Sequence, residues 1–239
     1  LKPADAMKGM KWDMCGGATV IAAIRAAAAL RLPIRIKAYC AATTNRTGSN
    51  AYLVDDVVTG LDGKTYEIKN TDAEGRLTLV DAITYARKFG KVSRIVDLAT
   101  LTGAIVVALG DIYAGGFTNN QKWFDQVKAA SESVGERIWQ MPADEEYDEY
   151  NASDFADISN TGGRWGGAVS AAKFVLSAAG GLPVAHLDIA GTAFRDRAFE
   201  ADPKGGTGFG VRTLVALLES LSKKKPAKKA KKPVRRAKR

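Results

Sequence analysis

Within Asn70-Thr71-Asp72-Ala73-Glu74-Gly75-Arg76-Leu77, two carboxylates stand two residues apart and a guanidinium follows two residues later. If this stretch is extended, positions i and i+2 point the same way, so Asp72, Glu74 and Arg76 converge on one spot. Adjacent carboxylates repel and call for a cation between them. Oxygen-rich acidic clusters suit magnesium, manganese or zinc. An arginine beside them suits a bound oxyanion. By spacing alone a second reading stays open, that of a surface loop with an ordinary salt bridge.

Other reactive side chains read more plainly as structure. His186 is the one histidine of the chain and lies in the apolar run "VAHLDI". A packed, hydrogen-bonded histidine suits that setting better than a catalytic base. Asp97 and Asp188 stand near strand ends and suit loop capping better than metal ligation. Cys15, close to Asp13, suits packing. The glycine-rich "NTGGRWGG" at 160–167 lacks the lysine and spacing of a phosphate loop, and reads as a tight loop at the rim of a cleft.

These residues need elements to position them. The alanine-rich stretch Asp13 to Leu32 predicts a helix closed by Pro33, and the alternation in Ile34 to Ala42 predicts a strand. Val54–Thr59 and Thr65–Lys69 flank Asp62-Gly63 and predict a hairpin. Helices are predicted over Leu77–Phe89, Lys122–Gly135, Ala168–Ala179 and Val211–Leu221, with buried strands at Ser93–Leu98 and Val184–Ile189. This alternation predicts an α/β fold, a three-layer helix/mixed-sheet/helix domain with a mostly parallel central sheet. In such sheets sites form beyond the carboxyl ends of strands. The acidic run and the loops after Leu98 and Ile189 all fall there.

The chain has 239 residues, 46% of them hydrophobic, enough for a sizeable core, and no apolar run long enough to span a bilayer. No membrane role is expected. Two cysteines without metal or disulfide spacing suit a reducing, cytoplasmic setting. The net charge of +9 is concentrated at one end. Residues 223–239 hold 11 of the 35 Lys and Arg and no acid, leaving 24 basic against 26 acidic side chains elsewhere. The expected organisation is a folded domain over 1–221 and a disordered basic tail over 222–239. The tail suits nonspecific, salt-sensitive contact with nucleic acid first, with nuclear import and a solubilising tail as the other readings. Without interleaved aromatics, base stacking is not expected.

The run "NTDAEGRL" resembles the signature of the leucyl aminopeptidase family, the two-metal cytosol aminopeptidases. "LKPADAMKGMKWDMCGGA", "DLATLTGAIVVALG", "HLDIAGTA" and "TGFGVRTLVALL" resemble further family segments, in order, from Leu1 to about Ser220. The resemblance implies a metal-dependent aminopeptidase acting on peptide substrates, with leucine and other apolar N-terminal residues preferred. It implies two divalent ions, manganese or zinc, with Asp13, Asp72 and Glu74 as ligands. It assigns Lys2 to stabilising the tetrahedral intermediate and Arg76 to holding a bicarbonate that acts as general base. It places Asn70, Thr100 and Gly103 along the substrate cleft. Met10, Ala190 and Ala193 fall on its apolar floor. It also implies a homo-hexamer.

The family has two further metal ligands, a lysine and an aspartate, in an upstream motif resembling KGxxFDSGG, and no segment of this chain resembles it. Leu53-Val54-Asp55 replaces the family's Arg-Pro-Gly, which implies a local loop difference. The expectation is therefore the C-terminal catalytic portion of a longer aminopeptidase, weak or inactive alone. The alternative is a non-catalytic relative that acts in assembly or in nucleic-acid binding.

Overall fold

The computed structural model describes residue 2, residues 4–198 and residues 204–223. The basic tail from residue 224 lies outside the described residues. The helices are α1 (Ala4–Met7), α2 (Cys15–Ala29), α3 (Gly75–Phe89), α4 (Gly103–Leu109), α5 (Gln121–Ser133), α6 (Gly167–Leu176) and α7 (Val211–Lys223). The strands are β1 (Val57–Thr59), β2 (Thr65–Glu67), β3 (Ile95–Ala99), β4 (Ala114–Thr118), β5 (Ile138–Gln140), β6 (Ile158–Ser159), β7 (Val184–Asp188), β8 (Phe194–Arg195) and β9 (Gly205–Gly206).

The central sheet has the order β3-β7-β4-β5. β3 and β7 are parallel, with Ile95 opposite Val184 and Ala99 opposite Asp188. β4 runs antiparallel to β7 and parallel to β5. Most pairings are thus parallel, and the carboxyl ends of β3 and β7 emerge together. A smaller sheet, β1-β2-β6, carries the predicted hairpin.

Helices cover both faces of the central sheet, giving the three layers expected. On one face Leu98, Leu187 and Ile189 pack with Phe124 of α5 and Leu217 of α7, and Val20 of α2 joins them. On the other, α3 and α6 bury Val80, Ile83, Phe174 and Val175, with Ile95 of β3 packed against them. Ile105 of α4 and Phe117 of β4 form a neighbouring cluster with Ala168 and Val169. Each buried aliphatic or aromatic side chain contributes about 1.5–3 kcal/mol relative to exposure. Gly16 lets α2 approach β3 closely, because a Cβ there would stand 2.2 Å from the Leu98 carbonyl oxygen.

Two sequence expectations change. Ile34 to Ala42 keeps some alternation in exposure, yet among the described residues it pairs with no strand. Period-two patterning makes a strand only where a ladder partner is present. The condition for convergence in the acidic run, an extended segment, is not met. It turns at Thr71-Asp72, and α3 begins at Gly75.

Candidate functional site: a carboxylate and arginine cleft

The turn in the acidic run is built by Asn70. Its side-chain oxygen accepts from the Asp72 amide at 2.8 Å, and its carbonyl accepts from the Ala73 amide at 3.1 Å. An Asn side chain that bonds its own backbone two residues on competes with extended structure. The three charged groups therefore diverge. Asp72 turns outward, Glu74 stands at the entry to α3, and Arg76 enters the helix and is buried.

Each has a distinct partner. The Lys2 ammonium lies 2.5 Å from both oxygens of Asp72. Glu74 accepts from the Asn45 side chain at 2.9 Å. Asp13 accepts from the Thr100 hydroxyl at 2.7 Å. The carboxyl of Asp13 is raised above its usual range, first by desolvation, with Asp72 adding repulsion and Thr100 and Lys2 opposing. Asp13, Lys2 and Asp72 thus share one field.

Arg76 donates to the Asn160 carbonyl at 2.8 Å, while its buried Nε has no partner among the described residues. Burial lowers its pKa to about 10, with Asp188 and Glu74 pulling the other way, so it stays charged at neutral pH.

A cleft of about 2720 Å³ gathers these groups. Lys2, Met10, Asp13, Asp72, Glu74, Arg76, Thr100, Gly103 and Ala190 all line it. Asn70 and Ala193 do not. Asn70 acts from behind as the turn former, and Ala193 is buried in the core at 1% exposure. The glycine-rich loop at 160–167 is also absent from the lining, so it is not the cleft rim.

Asp188 is fully buried and ties the two loops of the site together. It accepts from the Thr102 hydroxyl at 2.7 Å, the Leu101 amide at 3.0 Å and the Ala190 amide at 3.2 Å. His186 Nδ1 lies 2.6 Å from Asp97. Both match the structural role read from sequence. The residue that sequence reading missed is Asn160. Its amide accepts from the Lys69 amide at 3.0 Å and donates to the Asn70 carbonyl at 2.7 Å, while its own carbonyl receives Arg76. Its place at the start of the "NTGGRWGG" motif was the available signal, but the motif was weighed for its glycines.

Hard carboxylate oxygens around one cleft are the donor chemistry that divalent cations take. The Lys2 ammonium against both Asp72 oxygens shows that a cation is favoured there. However, no group of three His, Cys, Asp or Glu side chains among the described residues is arranged to hold a metal ion. The donors fit in kind and charge, and the described set is open rather than closed. The unpartnered Nε of Arg76 is a donor of the kind a small oxyanion takes.

Fold and cleft together define an α/β domain whose charged cleft is lined by the loop that follows the carboxyl end of β3. The model of the cytosol aminopeptidase family, catalytic domain, matches residues 1–215. The chain belongs to that family. It is 52% identical over 217 residues to a probable cytosol aminopeptidase of Solibacter usitatus, covering 91% of this chain and 45% of that protein. It is 50% identical over 223 residues to one from Chlorobaculum tepidum, covering 93% and 44%. Among solved structures it is similar to the bottromycin maturation enzyme BotP in complex with Mn, with TM-score 0.84, 39% identity, and coverage of 93% of this chain and 50% of that one. A tomato leucine aminopeptidase mutant gives TM-score 0.80 and 43% identity over 88% of this chain and 41% of that one. The chain therefore spans about half the length of these relatives or less.

Proposed function

We propose that this chain supplies carboxylate, lysine and arginine groups of a metal-dependent aminopeptidase that removes apolar N-terminal residues, leucine among them, from peptides. The observation that carries the reading is the cleft itself. Lys2 straddles Asp72, Asp13 and Glu74 line the same walls, and the half-partnered Arg76 guanidinium is buried beside them.

Asp13, Asp72 and Glu74 would hold manganese or zinc, which when bound supply Lewis acidity and make water acidic near neutral pH. Arg76 would hold bicarbonate through its free Nε, placing a general base beside the carboxylates. Thr100 fixes the rotamer of Asp13 through its hydroxyl. Lys2 sets a positive charge where an oxyanion develops during attack on the scissile carbonyl. Met10 and Ala190 line the cleft and would receive an apolar side chain. A homo-hexamer is the assembly that goes with this reading.

The open donor set supports a further claim, that these 239 residues alone hydrolyse weakly or not at all. The test pairs calorimetric titration with Mn²⁺ or Zn²⁺ and an assay with a leucyl amide. Weak cation binding that Asp72→Asn abolishes, with little turnover, is expected. Cation binding indifferent to Asp72→Asn defeats the site, and turnover typical of a complete enzyme defeats the claim of weakness.

The segregated positive charge of residues 223–239 favours a second role, nonspecific contact with nucleic acid. Filter binding across a salt series, with and without those residues, tests it. Identical curves for the two chains end that reading.

A further inference from the structure

We propose that the end of α3 and the segment beside it form a docking surface for single-stranded nucleic acid. The phosphates fall on Arg35, Lys37, Lys88 and Lys91, and the bases stack on the rings of Tyr85 and Phe89. The surface is separate from the basic residues 223–239, and it stands or falls independently of the metal reading.

The charge is segregated in the sequence. Residues 14–54 hold five Lys or Arg and no acid, and residues 82–96 hold four and no acid. The fold brings the two stretches together. The Arg35 guanidinium donates to the Lys91 carbonyl at 3.3 Å. Arg35 and Lys37 are exposed while Ile34 and Ile36 are half-buried, so the two cations share the outer side of their segment. Lys88 and Lys91 are exposed as well. Among the described residues none of these four cations stands in a salt bridge. Lys88 donates to the Leu61 carbonyl at 2.7 Å, a neutral partner that leaves its charge uncompensated. The one carboxylate of α3, Asp81, accepts from the Leu61 amide at 2.7 Å. A helix end attracts cations through its free carbonyls, which accounts for Arg87 and Lys88 in the last turn of α3. It does not account for Arg35, Lys37 and Lys91, which lie off the helix.

Aromatic rings stand among these charges. Tyr39, Tyr85 and Phe89 form a ladder, with ring centroids 5.6 Å and then 5.0 Å apart. Tyr39 reaches over the end of α3, where a Cβ on Gly90 would stand 2.8 Å from its hydroxyl, beside Lys91. Tyr85 is 49% exposed and Phe89 58%. Arg35, Lys37 and Lys91 line the cleft, whereas Tyr85, Lys88 and Phe89 stand outside it, so the surface runs outward from the cleft.

Cations alone would serve any polyanion, by neutralising its charge and releasing counterions. Exposed rings set among them select a polyanion whose bases are free to stack. A duplex keeps its bases stacked on one another and offers the rings nothing. The single strand is therefore the partner that matches both halves of the surface.

The test follows the fluorescence anisotropy of a labelled oligothymidylate of about 20 nucleotides, titrated with the full chain in the presence of EDTA. Tyr85→Leu and Phe89→Leu keep apolar bulk and remove the stacking faces. Each is expected to weaken binding about fivefold or more at fixed salt, without changing the salt dependence. Arg35→Gln and Lys91→Gln should each lower the slope of log affinity against log salt by about 0.7. Binding of a duplex of the same length should be indifferent to both ring substitutions. Circular dichroism verifies the fold of each variant. Contact through residues 223–239 alone would not respond to the rings, so unchanged affinity in both Tyr85→Leu and Phe89→Leu overturns the proposal. Equal losses for single strand and duplex overturn it as well, as does a wild-type chain that binds no oligonucleotide.

Discussion

Asn160 grips Asn70 from both sides, donating from its side-chain amide to the Asn70 carbonyl at 2.7 Å and accepting from the Asn70 amide at 3.2 Å. The same residue accepts the Lys69 amide and offers its carbonyl to Arg76. One buried residue thereby couples the small sheet to the acidic turn through its side chain and to the guanidinium through its backbone carbonyl.

Asn160→Ala removes the partner of the Lys69 and Asn70 amides in a part-buried setting. Leaving such groups unpaired costs about 1–3 kcal/mol each where water cannot replace the partner. The expected loss is about 2 kcal/mol or more by denaturant unfolding, together with loss of cation binding at Asp72. Asn160→Asp keeps the acceptor half and gives up the two donors, so it should lie between alanine and wild type. A variant as stable as wild type would remove Asn160 from this role.

What was legible in the sequence was local. Asp62-Gly63 announced its hairpin, and Gly90 and Pro33 stood just past α3 and α2, because turn and helix-end chemistry acts over a few residues. β4 was not legible. Its two glycines look like a breaker, yet a Cβ on Gly115 would meet Ile105 and one on Gly116 would meet Phe124. The strand is glycine-rich because neighbouring side chains fill the space, a fact of packing that no short window contains. The spacing of the acidic run allows convergence only in an extended segment, and the Asn70 side chain commits it to a turn instead. Asn160 was missed because its partners lie 84–91 residues away in the chain.

Arg76 carries a cost that an anion can offset. Its guanidinium is buried, and burial lowers its folded pKa to about 10, below its ordinary value. The unfolded chain holds that proton more tightly, so the cost is complete below about pH 10 and shrinks as pH rises above it. At neutral pH, Arg76→Met should leave thermal stability within about 1 kcal/mol of wild type, since an unpaired buried charge contributes little net stability. Bicarbonate at about 100 times its Kd should stabilise wild type by about 2.7 kcal/mol. That corresponds to a rise of about 5–10 °C in Tm for a domain of this size. The variant should show no such rise. Equal shifts in both proteins would place the anion elsewhere.

Acid should loosen the small sheet early. The Ser153 hydroxyl, 2.5 Å away, and the Lys69 ammonium, 3.3 Å away, hold Glu67 below its ordinary range. The Thr65 amide and hydroxyl, both at 2.8 Å, do the same for Asp157. Both folded pKa values are depressed, so their contribution is present above the ordinary values of 4.5 and 3.8 and is lost as pH falls below them. Amide exchange at Tyr66 and Ile68 should accelerate below about pH 4 before that of β7 does. Ser153→Ala should move the onset to higher pH. If β7 opens first, these carboxylates are not the acid-sensitive ties.

Lys2 competes with any metal for Asp72, because its ammonium meets both oxygens that a cation would use. The pair is partly exposed, with the Asp72 side chain at 40% of its free area and Lys2 at 26%. Exposed ion pairs contribute about 0–1 kcal/mol, so their removal changes affinity by up to about fivefold. Lys2→Met should therefore strengthen Mn²⁺ binding, with a gain of about twofold to fivefold by calorimetry. In an assembly that turns over a leucyl amide, the same substitution should lower kcat more than it changes KM, because the charge acts where the oxyanion develops. The two effects run in opposite directions, which separates this role from simple damage to the fold. Weaker Mn²⁺ binding in Lys2→Met would show that the lysine organises the site rather than competing for it.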